Sequence, residues 1–111
     1  MSSKISAAKA KQYINNYRQG LPAGSLKSAW LDRDFIDAIL ALEQTHQLDG
    51  VRVYLARYSE DDPQGRFSDG TDTIIIVPTQ SGFADGGSDI EDAYYDYSRI
   101  CPPYCNHDEG D

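Results

Sequence analysis

VRVYLARY, residues 51–58, carries the strongest strand signal in the chain. Its β-branched and aromatic residues suit a pleated backbone. Alternation sends Val51, Val53 and Leu55 to one face and Arg52, Tyr54, Ala56 and Tyr58 to the other. A second strand is expected at TIIIVP, residues 73–78, apolar on both faces as a strand covered on both sides should be, and ending at Pro78. Asp49-Gly50 carries a turn signal just before the first strand. The 14 residues of SEDDPQGRFSDGTD, 59–72, are long for a hairpin connection and predict a loop. TQSGFADGGSD, 79–89, is rich in Gly and Asp and also predicts a loop, and IEDAYYDY, 90–97, suits either a short helix or an irregular wrap.

Upstream, KISAAKAKQYINNYRQ at 4–19 predicts a helix in which Ala10, Tyr13, Ile14 and Tyr17 form one buried stripe. Tyr13 and Tyr17 are accordingly expected as core anchors. Gly20 can cap its end, and Pro22 stops the helix from resuming. SLKSAWL, 25–31, can hold a short strand. Asp32 then suits the N-cap of a second helix, because its carboxylate can accept from the free amides of the first turn. Leu31 and Ile36 stand at the positions of a hydrophobic staple, and Asp34 complements the helix dipole. This helix should run to about Gln44 or His46, burying Phe35, Ile36, Ile39 and Leu40, with Leu42 a further candidate for that face.

The chain has 111 residues, the size of one domain, with 40% hydrophobic and 25% charged residues. No run approaches the ~20 apolar residues that cross a bilayer. MSSKISAAKAKQ lacks the apolar centre of a secretory signal, so the expected compartment is the cytoplasm, where cysteines tend to stay reduced. The net charge of -8 is uneven: +3 over residues 1–58, -4 over 59–84 and -7 over 85–111. A basic first half can mark nucleic-acid binding, but the density of bases is low and the overall field opposes phosphate, so nucleic acid is not an expected partner.

No GxGxxG, P-loop, GxSxG or HExxH is present, and the acids between Asp61 and Asp72 lack EF-hand spacing. His46 has no local nucleophile to serve and suits a helix-end role. The chemistry-bearing residues gather in CPPYCNHDEGD, 101–111. Cys101, Cys105 and His107 form C-x3-C-x-H, within the spacing used by zinc ligands, with Asp108, Glu109 or His46 as a fourth donor. A Cys101–Cys105 disulfide is the second option. It needs a bend, because a polyproline-like Pro102-Pro103 would hold the two Cα atoms about 12 Å apart against a limit of about 7 Å. A thioredoxin-like role lacks its helical frame. In the plainest option, both cysteines act as small apolar groups in a stiff segment laid across the domain or a partner.

SAWLDRDFIDAIL at 28–40, GVRVYLARY at 50–58 and YDYSRICPPYC at 95–105 resemble an uncharacterised family of small bacterial proteins, largely from Bacteroidetes. The resemblance implies no activity, only that the strand and the cysteine element belong to one unit.

The expected protein is thus α+β, with two helices packed on a small antiparallel sheet and a third strand possible near 25–30. Residues 1–89 form the domain, and 90–111 form an acidic, tyrosine-rich segment packed on it or mobile. The expected function is that of a small non-enzymatic interaction protein, with a protein partner or a second copy of itself and no membrane. The expected partner surface is Arg52, Tyr54, Tyr58, Tyr94, Tyr95, Tyr97 and Tyr104, because Tyr and Arg are enriched at binding hot spots. The alternative is a metal-binding or thiol-redox protein using Cys101, Cys105 and His107. No cofactor is expected unless zinc occupies that site.

Overall fold

The Asp32 carboxylate accepts a hydrogen bond from the Phe35 amide at 3.1 Å, and the second helix follows directly. In the computed structural model, which describes residues 3–83, 86–96 and 99–101, the order is α1 (Ala7–Arg18), β1 (Ser28–Trp30), α2 (Arg33–Glu43), β2 (Leu48–Arg57), β3 (Asp72–Phe83), β4 (Gly86–Asp89) and β5 (Arg99–Cys101). The fold is α+β, with two helices and a small antiparallel sheet in the order β2-β3-β4. β1 does not join that sheet. It pairs with β5 in a separate two-stranded ladder, Ser28 opposite Cys101 and Trp30 opposite Arg99.

α1 starts three residues later than its sequence pattern, because the Ser6 hydroxyl accepts from the Lys9 amide and caps it there. Gly20 closes the other end with a φ of 75°, the left-handed conformation that favours glycine. The expected buried stripe of α1 is not buried: Tyr13, Ile14 and Tyr17 are exposed. The C-terminal turn and the segment after it line a cleft against the sheet, and the Tyr17 hydroxyl donates to the Leu26 carbonyl at 3.2 Å. In α2 the covered stripe is Phe35, Ile39 and Leu42, and Ile36 and Leu40 are exposed. Phe35 sets that rotation, meeting Tyr95 edge to face with ring centroids 5.5 Å apart.

Asp49-Gly50 is not a turn. Both residues lie inside β2, at a register shift between Leu48 and Gly50. The irregularity lets the Asp49 carboxylate accept from the Thr79 hydroxyl at 2.6 Å. β3 likewise runs through Pro78 instead of stopping there. The pairing explains why. Tyr95 and Ile76 exchange both backbone hydrogen bonds on the side of β3 away from β2, and the Pro78 carbonyl accepts from the Ile90 amide on that same side. Alternation then points the Pro78 nitrogen away from β2, so its missing N–H breaks no bond to that strand. The stretch 79–89, expected as loop, completes β3 and returns as β4, with Thr79 opposite Asp89 and Gln80 opposite Ser88.

The buried apolar side chains among the described residues are Ile74, Ile76, Val77, Pro78, Ile90, Ile100 and Cys101. They lie on β3, on β5 and just after β4. Residues 90–96 form no helix: they turn at Glu91-Asp92 and add the single bridge at Tyr95 to the free side of β3.

Candidate functional site

β2 and β3 build two different faces. On one, Arg52 and Tyr54 reach over Val77, which is fully buried, to the carboxylate of Asp89 on β4. Arg52 Nη1 also donates to the Gly87 carbonyl at 3.2 Å. Tyr54 first, then Arg52, hold the Asp89 carboxyl below the usual range, and the bond to Asp89 holds the Tyr54 phenol above its own. Burial, and then Glu91, push the Tyr94 phenol up as well; its hydroxyl donates to Glu91 at 3.1 Å. Both members of the Tyr54–Asp89 pair are thus moved away from neutral pH. A general acid or base works best with a pKa near the operating pH, so this arrangement suits a clamp better than proton transfer.

Further along the same face, the Tyr58 hydroxyl donates to Asp96 at 2.7 Å and accepts from the Thr73 hydroxyl at 3.3 Å. Its ring stacks on Phe67 with centroids 3.6 Å apart, which fastens the 59–71 loop to the sheet. Inside that loop, buried Asp62 accepts from Arg66 three times: Nε at 2.5 Å, the backbone amide at 3.0 Å and Nη2 at 3.2 Å. The Arg66 guanidinium lowers the Asp62 carboxyl to about 2.

Arg52, Tyr54, Tyr58 and Tyr94 of the expected partner surface therefore share one face, joined through Asp89 and Asp96. Tyr95 points the other way, against Phe35. Tyr97, Tyr104, Cys105 and His107 lie outside the described residues. Cys101 is fully buried and disulfide-bonded. A sulfur in a disulfide is not a thiolate, so zinc at Cys101 belongs to the reduced chain. Among the described residues, no three His, Cys, Asp or Glu side chains converge as a metal cluster.

Asp89 is the hub that the sequence pattern did not single out, since its stretch carried only loop signals. The opposite face holds the second surprise. Leu55 stands across from Ile74, Val53 from Ile76 and Val51 from Pro78. The β3 members are buried, Ile74 at 8% and Ile76 at 1% exposure, yet Leu55 is 82%, Val53 52% and Val51 44% exposed. A cleft of about 460 Å³ opens at the end of this stripe, lined by Tyr17, Leu21 and Leu26 from the α1 side and by Leu55, Arg57 and Asp72 from the sheet. Arg57 and Asp72 form an ion pair there at 2.6 Å. Among the described residues, the cleft lining includes no histidine or cysteine.

No family model matches the chain, and no curated protein or solved structure matches it either.

Proposed function

We propose that this chain is a non-enzymatic interaction protein that works through the apolar surface of β2 and the exposed stripe of α1. The observation that carries this is the contrast across one pair of strands: β3 buries its side chains where the neighbouring β2 side chains stay in solvent. Contiguous apolar surface of that kind marks an interaction site. Tyr13, Ile14 and Tyr17 extend it beyond the cleft. The test is affinity capture from the source cells with the wild-type chain and with a Tyr17→Ser, Leu55→Asp double variant of unchanged melting temperature. A bound protein retained by the wild type and lost by the variant is expected; identical capture by both refutes the proposal.

Membership of the small bacterial family belongs to the same proposal. It rests on the three stretches of sequence that resemble the family.

A second role is favoured by one observation, the disulfide at Cys101. Disulfides persist in oxidising compartments and are usually transient or redox-sensing in the cytosol. No helix among the described residues is long and apolar enough to cross a membrane. With the cytoplasm as the proposed compartment, the bridge is redox-responsive, and the reduced chain frees Cys101 and Cys105, with His107, for zinc. Intact mass after rapid alkylation of cells decides this: a mixture of alkylated and bridged chains is expected, and a wholly bridged population refutes it. Native mass of the reduced protein with added zinc tests the metal site.

A further inference from the structure

We propose that β2 is a self-pairing edge, and that two copies of this chain join antiparallel about a two-fold axis through Val53 to make one continuous sheet. This goes beyond the interaction surface above: it uses the backbone edge of the same strand, and the apolar face stays open in the paired sheet.

The backbone is ready for it. The Tyr58 amide donates to the Thr71 carbonyl across the β2–β3 pair, so Tyr58 faces β3. Alternation then turns the amides and carbonyls of Arg52, Tyr54 and Ala56 toward β3 and those of Val51, Val53, Leu55 and Arg57 outward. The Ile76–Tyr95 exchange on the far side of β3 requires the same phase, since it leaves Ile75 and Val77 to bond β2. Among the described residues no strand lies beyond β2. Natural edges are protected by lysine, proline, bulges or short length. β2 has ten residues, contains neither lysine nor proline, and has its one irregularity at its first residues.

The sequence of the edge is complementary to itself in one register. An axis through Val53 sets Val53 opposite its own copy, Val51 opposite Leu55, Arg52 opposite Tyr54 and Gly50 opposite Ala56. Every pair is favourable or neutral: apolar with apolar, small with small, and Arg52 with Tyr54, whose polar ends are held inward by Asp89. Moving the axis to Arg52 sets two like charges directly opposite each other. Moving it to Tyr54 sets Arg57 against Val51. The outward phase of Val51, Val53 and Leu55 makes the favoured register one of hydrogen-bonded pairs, with about six inter-strand bonds over 51–55. Strand addition of this kind takes its affinity from main-chain bonds and its specificity from alternate side chains. A two-fold contact closes on itself, so it yields a dimer and not a fibre.

The test is sedimentation equilibrium of the full chain from about 1 to about 300 μM, a range that resolves a micromolar Kd. A dimer is expected. Val53→Pro removes only an outward N–H and leaves the bonds to β3 in place, so it should weaken the dimer at least about tenfold. A companion variant, Val53→Lys, sets two like charges on the axis and should do the same, with far-UV circular dichroism unchanged in both. Val53→Cys should cross-link the dimer under mild oxidation, because paired Cα atoms in such a register lie about 5.5 Å apart. Leu55→Cys should not, because its copy lies four residues along the strand, about 13 Å away. A chain that stays monomeric throughout the range overturns self-pairing, and so does a dimer indifferent to Val53→Pro or one that cross-links equally through residue 55. A monomeric chain whose captured partner is lost in the Tyr17→Ser, Leu55→Asp variant separates the two claims: self-pairing then fails and the interaction surface stands.

Discussion

Truncating Ile76 and truncating Leu55 should have very different costs, although both are apolar residues on the same face of adjacent strands. Ile76 is 1% exposed and Leu55 is 82% exposed. Ile76→Ala removes about three buried carbons, worth about 2.4 kcal/mol of transfer free energy at ~0.8 kcal/mol each. The cavity left between β2 and the Tyr95 bridge adds to that, for a total of about 3 kcal/mol, inside the usual span for such changes. Leu55→Ala removes the same number of carbons, but less than a fifth of the residue is covered, so about 0.4 kcal/mol is expected. At about 4 °C or more per kcal/mol, the melting temperature should fall by about 12 °C or more for Ile76→Ala and by about 2 °C for Leu55→Ala. Urea unfolding followed by circular dichroism at low protein concentration measures both without a contribution from self-association. Costs within about 1 kcal/mol of each other would refute the asymmetric covering of the sheet, because they would place Leu55 in a packed environment like that of Ile76.

Three further perturbations probe the parts that hold the surface in place. The Asp62 carboxyl is lowered to about 2 by Arg66, so the stability it contributes is full above the ordinary carboxylate pKa and is lost as pH falls from about 4 through about 2; Asp62→Asn should remove that acid-side slope from melting temperature against pH. Asp32→Ala removes the N-cap of α2 and should cost about 1 kcal/mol in thermal unfolding, while Asp32→Asn should cost little. A Cβ added at Gly87 would overlap the Asp49 carboxylate that accepts from Thr79, so Gly87→Ala should destabilise by about 1–3 kcal/mol. In an Asp49→Ala background the same change should cost much less, and a double-mutant cycle with no coupling would reject the contact.

What was legible in the sequence was local. The Asp32 cap, the strand at 51–58 and the end of α1 at Gly20 each depend on a few neighbouring residues, and each appears where its chemistry places it. The misplaced elements depend on partners far along the chain. Pro78 stops a strand only if its nitrogen must donate, and that depends on which side Tyr95 and Ile90 occupy. Asp49-Gly50 makes a turn only if nothing holds Asp49, and Thr79 does. The stripe of Tyr13, Ile14 and Tyr17 has helical spacing, but spacing says nothing about whether another layer covers it. In the site, Arg52, Tyr54, Tyr58 and Tyr94 were legible as a set, while their joining acids, Asp89 and Asp96, carried no signal of their own.

The covered and uncovered faces of β2 follow from the charge pattern more than from hydrophobicity. The apolar face of Val51, Val53 and Leu55 would be the obvious one to bury, yet the charged and aromatic face receives the chain's own C-terminal half. Arg52 belongs to the basic first half of the sequence, and its partner on that face, Asp89, belongs to the acidic second half. Tyr58 is held in the same way by Asp96. These two bonds close long stretches of chain, 37 and 38 residues. The uneven charge is therefore used within the molecule to draw β4 and residues 90–96 across that face, and it leaves fewer cations to meet phosphate. Once the polar face is occupied by the acidic half, Val51, Val53 and Leu55 on the other face stay largely in solvent, and the unpaired backbone edge of the same strand is left open to a second copy.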